Sequence, residues 1–127
     1  MGHLTIARGR SDSGKTTLLI ETAINAQKQG ILPIFIITEM KWDFEHAIQM
    51  GFELNRIVDP EDPTNINYEG FFMYVDRSTI NVIEDVSAFI LDILDEQRRE
   101  FTLWSCFLWD SVGSIPCKLS VEAKSNN

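Results

Sequence analysis

The sequence predicts an α/β domain in which helices flank a parallel β-sheet. Apolar, β-branched segments that are typical of buried strands alternate with segments whose apolar residues recur at helical spacing. A glycine-containing loop lies between the first apolar segment and the first helical one, and an aspartate ends the last apolar segment. Alternation of strands and helices indicates parallel strands, because a helix is the usual crossover between them.

Between residues 3 and 58 the pattern predicts three strands and two helices. The strands are residues 3–7, 32–38 and 55–58, and the helices are residues 15–29 and 43–50. The strand at 32–38 is almost purely apolar, which is typical of a strand buried on both faces. Gly30 follows the first helix, at the position where a glycine commonly ends one.

The remainder of the chain is predicted as a loop, two strands, one long helix and a tail. In order, these are a polar loop at 59–70, a strand at 71–75, a helix at 80–99, a strand at 102–109 and a polar tail at 118–127. Apolar residues form one stripe along the long helix. Asn81 followed by Glu84 matches a capping box at its start, and a start nearer Ser78 is the alternative.

Composition fits one small domain that is neither secreted nor embedded in a membrane. The chain has 127 residues, of which 44% are hydrophobic and 24% charged, and a chain of this length can bury a core without disulfides. Its formal net charge of −8 argues against a large basic nucleic-acid surface on these residues. Cys106 and Cys117 have no disulfide-framework spacing, so we expect a reducing, cytoplasmic setting.

A phosphate-binding loop is the strongest motif in the sequence. Residues 9–16 match GxxxxGK[ST] in full, with a predicted strand before them and a predicted helix after them. In this motif backbone N–H groups surround phosphate oxygens, Lys15 reaches the β- and γ-phosphates, and the Thr16 hydroxyl binds Mg²⁺. The predicted nucleotide-binding residues are Gly9, Arg10, Ser11, Asp12, Ser13, Gly14, Lys15, Thr16 and Thr17.

Two acidic residues at predicted strand ends complete the candidate site. Asp110 ends the apolar segment 106–110, which has the form of a Walker B motif, and would hold Mg²⁺ through water. Ser111 follows it, so the glutamate that many P-loop ATPases carry at that position is missing. Glu39 directly follows the strand at 32–38 and would orient or deprotonate the attacking water. The alternative for Glu39 is a surface residue that leads into a helix.

These features together resemble the RecA-type recombinase family of P-loop NTPases. The segment 9–17 looks like that family's P-loop, Thr38-Glu39 looks like its catalytic-glutamate segment, and residues 110–116 resemble its Walker B extension. The resemblance covers residues 4–124 and is nearest to phage recombinases of the UvsX type.

The resemblance implies an ATPase site and partners. Lys15, Thr16, Glu39 and Asp110 carry over as ATPase residues with ATP and Mg²⁺ as cofactors. Asp43 and His46 fall where the family contacts adenine, with a helix-capping aspartate and a partly exposed histidine as the alternative. The family exchanges strands on single-stranded DNA as a homo-oligomeric filament, without a membrane, in the cytoplasm of a bacterium or phage-infected host.

The resemblance also implies that the sequence is a piece of a recombinase core. Residues 1–117 match part of the core, residues 118–127 would begin a DNA-binding loop, and the chain stops before the next strand of the family's sheet. We therefore expect a marginally stable fragment without ATPase turnover of its own. A replicative helicase motor, a clock-type ATPase and a P-loop small-molecule kinase remain alternatives. The kinase is disfavoured because the one Arg-Arg pair, Arg98-Arg99, lies at a solvated helix end.

Overall fold

The structure, a computed structural model, describes residues 3–9, 14–39, 42–100 and 104–125. Its helices are α1 (Lys15–Lys28), α2 (Phe44–Gln49), α3 (Ile83–Glu100) and α4 (Lys118–Ser125), with a 3-10 turn at Val112–Ser114. Its strands are β1 (Leu32–Ile37), β2 (Asn55–Val58), β3 (Ile66–Glu69), β4 (Met73–Asp76) and β5 (Ser105–Asp110). The predicted loop residues Arg10, Ser11, Asp12 and Ser13 lie outside the described residues.

A three-stranded parallel sheet forms the centre of the fold, in the order β4-β1-β5. The central strand β1 pairs in register with both neighbours, so that Ile37 lies opposite Asp76 on one side and Asp110 on the other. Residues Ile34, Phe35 and Ile36 are fully buried, as expected for a strand covered on both faces. The predicted class, a parallel sheet flanked by helices, is confirmed.

Two apolar clusters cover the two faces of this sheet. On one face, Phe35 and Ile37 pack with Ile20 and Ala23 of α1 and with Phe52. On the other face, a second set of apolar side chains joins β1 to α3 and to the segment after β5. That set is Ile36, Ile80, Val86 and Ile115, with Phe89, Ile90, Phe107 and Trp109 packed against it. Alternation along β1 therefore sends successive side chains into different cores.

An antiparallel hairpin, β2–β3, is inserted between α2 and β4. The polar loop predicted at 59–70 is wrong in its second half, because Ile66–Glu69 form β3 opposite β2. The hairpin is fastened to α2 at one carboxylate: Arg56 Nε donates to Glu45 Oε1 at 2.7 Å, and the Tyr68 hydroxyl donates to the same oxygen at 2.9 Å. These two donors hold the pKa of Glu45 below its usual range.

The strand predicted at residues 3–7 is wrong. Residues 3–9 are exposed and have no regular secondary structure, and the apolar side chains of Leu4 and Ile6 are 88% and 67% exposed. A strand exists only where a neighbour supplies hydrogen bonds for its backbone. None of the described strands pairs with this segment. Its apolar pattern alone therefore does not produce a strand.

Helices α3 and α4 begin at hydrogen bonds that the sequence did not predict. In place of an Asn81–Glu84 box, the Asp85 carboxylate accepts the backbone N–H groups of Asn81 at 2.8 Å and Val82 at 3.1 Å. These bonds keep the pKa of Asp85 low. Glu84 instead accepts the backbone N–H of Lys118 at 2.9 Å. The segment predicted as a polar tail accordingly begins as helix α4.

Of the described helices, none is long and apolar enough to cross a bilayer.

Replacing the central aromatic of β1 should destabilise the whole domain. Phe35 is 0% exposed and its ring lies 4.9 Å from that of Trp42 and 5.4 Å from that of Phe52. Phe35→Ala should lower the free energy of unfolding by about 3–5 kcal/mol, measured by urea denaturation. Ile57→Ala, at a 43% exposed hairpin position, should change it by less than about 0.5 kcal/mol. Equal losses in the two variants would contradict this account of the core.

Alkaline pH should destabilise the domain through Tyr74. Burial, together with the charge and hydrogen bond of Asp76, raises the pKa of Tyr74 from its ordinary 10 to about 12. The unfolded chain therefore loses this proton first, so stability that is present below pH 10 is lost as pH rises from 10 to 12. Tyr74→Phe should show a flatter decline in urea midpoint across that interval. A decline as steep as in the wild type would contradict the prediction, since the lysines titrate in both proteins.

Candidate active site

The candidate site lies where the carboxyl ends of β1 and β5 meet. Because the two strands are parallel and in register, the polar residues that follow them reach the same edge of the sheet. The backbone N–H groups of Thr38 and Glu39 both donate to the Asp110 carbonyl, at 2.8 and 3.1 Å. The backbones of Glu39 and Asp110, two of the predicted site residues, are thus directly hydrogen-bonded. The Glu39 side chain is exposed.

The start of α1 contacts the same edge of the sheet. The Thr16 hydroxyl donates to Oδ2 of Asp110 at 3.1 Å, which joins two residues that are 94 positions apart in the chain. Both residues are partly buried. Gly14 precedes the helix with φ 87° and ψ 13°, a left-handed conformation that strains any other residue. This conformation turns the chain from the loop into α1 and aims the helix N-terminus at the strand ends.

Lys15 joins the residues at the two ends of the predicted phosphate-binding loop. Its Nζ donates to the carbonyl oxygen of Gly9 at 2.8 Å. The two residues are six positions apart, so this bond holds Gly9 close to the first turn of α1. The structure therefore brings Gly9, Gly14, Lys15, Thr16 and Asp110 together, whereas Thr17 is an exposed residue of the same first turn.

A polar cluster that the sequence did not indicate lies beside Asp110. The Thr38 hydroxyl donates to the Ser111 carbonyl at 2.7 Å and accepts from Trp109 Nε1 at 3.0 Å. The Ser114 hydroxyl lies 2.9 Å from that of Thr38 and 2.7 Å from the Ser111 carbonyl. The peptide bond between Asp110 and Ser111 is cis. A threonine that ends an apolar run is the one sequence signal for this cluster, and that signal does not name its partners.

His46 lies on helix α2, and Asp43 immediately precedes that helix. The Asp43 carboxylate accepts the backbone N–H of Glu45 at 2.9 Å and so caps the helix. His46 is exposed. The capping contact is one of the two interpretations that the sequence left open for Asp43, and an adenine contact for either residue stays a prediction.

The described residues contain no group of three or more histidine, cysteine, aspartate or glutamate side chains placed to hold a metal ion. Two side-chain oxygens are in contact here instead: a carboxylate oxygen of Asp110, at the end of β5, and the hydroxyl of Thr16, in the first turn of α1. Oxygen ligands suit Mg²⁺, which usually keeps several waters and binds one or two carboxylates together with substrate phosphates. The donor set therefore fits a magnesium ion that arrives with a nucleotide.

Comparison with known proteins gives one partial similarity to report. No family model matches the chain, and no solved structure matches it. The protein RecA of Mesoplasma florum is 35% identical to this chain over 57 residues. These residues make up 45% of this chain and 17% of that protein. The chain is therefore similar to a part of a RecA protein that is much smaller than the whole.

Proposed function

We propose that the chain is an ATP-binding core segment of a RecA-like DNA recombinase, of the kind found in phages. The observation that carries the proposal is the contact of Thr16 with Asp110 at 3.1 Å. A Walker A hydroxyl and a Walker B carboxylate in contact are the arrangement that holds a nucleotide-bound magnesium ion in P-loop NTPases. The partial similarity to a RecA protein supports this class over other P-loop enzymes.

The N-terminus of α1 would hold the phosphates of ATP. Unsatisfied backbone N–H groups and the helix dipole favour anions there. Lys15 would exchange its bond to the Gly9 carbonyl for phosphate oxygens, which replaces a neutral acceptor with a charged one. Residues 10–13 would contribute backbone N–H groups of the loop, as in the matching motif.

Thr16 and Asp110 would hold Mg²⁺, with the hydroxyl as a ligand and the carboxylate acting through water. When bound with ATP, this ion supplies neutralisation of charge on the phosphate oxygens. Asp110 keeps its place because its carbonyl accepts two N–H groups from β1's continuation. Thr16 keeps its place because it lies in the first turn of α1, which packs on the sheet.

Glu39 would orient the water that attacks the γ-phosphate and accept its proton. Its backbone N–H is bonded to the Asp110 carbonyl at 3.1 Å, which fixes its Cα close to the proposed magnesium residues. Ser111 follows Asp110, so the base must come from another strand end. Asp43 and His46 would contact the adenine, which requires the Asp43 carboxylate to share or leave its helix cap.

In the whole protein we expect single-stranded DNA and further copies of the same protein as partners, in the cytoplasm of a bacterium or of a phage-infected host. The partial similarity to a RecA protein supports this class. The net charge of −8 leaves these residues without the excess of Lys and Arg that binds phosphate backbones. DNA contact would therefore depend on other parts of the protein.

Lys15→Ala should abolish stabilisation of the chain by nucleotide. A ligand that binds the native state alone raises the free energy of unfolding by mass action, so MgADP should raise the melting temperature of the wild type. Lys28→Ala removes a lysine from the other end of the same helix and should keep the full rise. A full rise of the melting temperature in Lys15→Ala would show that the loop is not the nucleotide-binding site.

Glu39→Gln should separate ATP binding from ATP hydrolysis in the full-length protein. The substitution keeps the size of the side chain but removes its basicity, so MgATP should bind as in the wild type while turnover falls about 10²–10⁴-fold. Glu21→Gln, an exposed position on α1, is the matched control and should keep wild-type turnover. Wild-type turnover in Glu39→Gln would show that the base is another residue.

A further inference from the structure

We propose that Thr38 is a positioning residue for Asp110, and that its hydroxyl sets how much Mg²⁺ strengthens nucleotide binding. The inference rests on the proposed function, because it assigns Asp110 to the magnesium ion. Thr38 itself has no proposed contact with nucleotide or metal. It would act through the segment 109–111, which it holds from one side.

Three consecutive residues of this segment are hydrogen-bonded to Thr38. Its backbone N–H donates to the Asp110 carbonyl at 2.8 Å, and its hydroxyl donates to the Ser111 carbonyl at 2.7 Å. The hydroxyl oxygen also accepts the indole N–H of Trp109 at 3.0 Å. The residues immediately before and after Asp110 are therefore both fixed by one side chain, which is 1% exposed.

Ser114 closes the cluster from the other side. The Thr38 hydroxyl donates to the Ser111 carbonyl at 2.7 Å, and its oxygen lies 2.9 Å from the Ser114 hydroxyl, a contact in which either oxygen can be the donor. The Ser114 hydroxyl also reaches the Ser111 carbonyl at 2.7 Å. Arg77 adds a bond to the Ser114 carbonyl at 3.1 Å. The turn after Asp110 is thus held by side chains that follow both β1 and β4.

The hydroxyl is the part of Thr38 that requires an explanation. The residues before it, Ile34 to Ile37, are apolar and at most 1% exposed, and a valine would continue that run without burying a polar atom. Burial of a hydroxyl is unfavourable unless it is hydrogen-bonded. Here it is bonded to the residues on both sides of Asp110, so its effect is to restrict the direction in which the Asp110 carboxylate points toward Thr16.

The test is the affinity of the chain for ADP, measured by calorimetry with and without Mg²⁺. Replacing a residue that orients a metal ligand typically lowers metal affinity about 10–100-fold. Thr38→Val should therefore reduce the gain in ADP affinity that Mg²⁺ produces about tenfold, while the affinity for ADP without Mg²⁺ changes less than about twofold. Thr38→Ser keeps the hydroxyl and should restore the gain. Thr22→Val is the matched control, because the Thr22 hydroxyl is bonded to Leu18 within α1.

The outcomes are distinguishable. The inference would be overturned if Mg²⁺ increased the ADP affinity of Thr38→Val as much as that of the wild type. It would also be overturned if Thr38→Ser lost as much of this increase as Thr38→Val. Either result would leave the proposed nucleotide site intact. If Thr38→Val does not fold by circular dichroism, Ser114→Ala decides the matter, because it removes a hydroxyl from the same cluster and should also lower the gain. An unchanged gain in Ser114→Ala would then overturn the inference. Absence of ADP binding by the wild-type chain would overturn the proposed function and this inference with it.

Discussion

The parallel hydrogen-bond ladder between β1 and β5 is the interaction on which the rest of the molecule depends. It runs from Leu32 opposite Ser105 to Ile37 opposite Asp110, and it continues past both strands through the N–H groups that Thr38 and Glu39 donate to the Asp110 carbonyl. The apolar clusters on either side form because this ladder presents successive side chains of β1 to opposite faces. The same ladder brings to one edge polar residues that are far apart in sequence.

Local pattern was sufficient where one stretch of chain determines the structure. The apolar run of β1 and the helical spacing in α1 and α3 predicted the class of fold. The sequence motifs named Thr16 and Asp110, which the structure brings into contact. Thr38 was not predictable in this way. Its hydroxyl partner Ser111 is 73 positions away, and an apolar run that ends in threonine gives the same local signal whether that hydroxyl meets water or a buried carbonyl.

The wrong predictions share a physical cause, which is that a distant partner decides the outcome. Residues 3–7 have a strand-like composition, but no described strand pairs with them. Residues Ile66–Glu69 lie in a polar stretch, yet they become β3 because β2 lies opposite them. Helix α4 begins at a backbone N–H that Glu84 accepts from 34 positions earlier in the chain. Propensity describes what a segment tolerates, and tertiary contacts select among those options.

Gln27 of α1 has a consequence for how this protein can vary between relatives. Its side-chain amide donates to the carbonyls of Glu53 and Phe71 and accepts the N–H of Glu53, so one residue holds both ends of the β2–β3 insertion at its base. A loop whose ends are already fixed adds little entropic cost as it lengthens, about 0.6 kcal/mol for each doubling. The insertion is therefore a position where evolution can lengthen, shorten or replace sequence while the register of β1 and β4 is preserved.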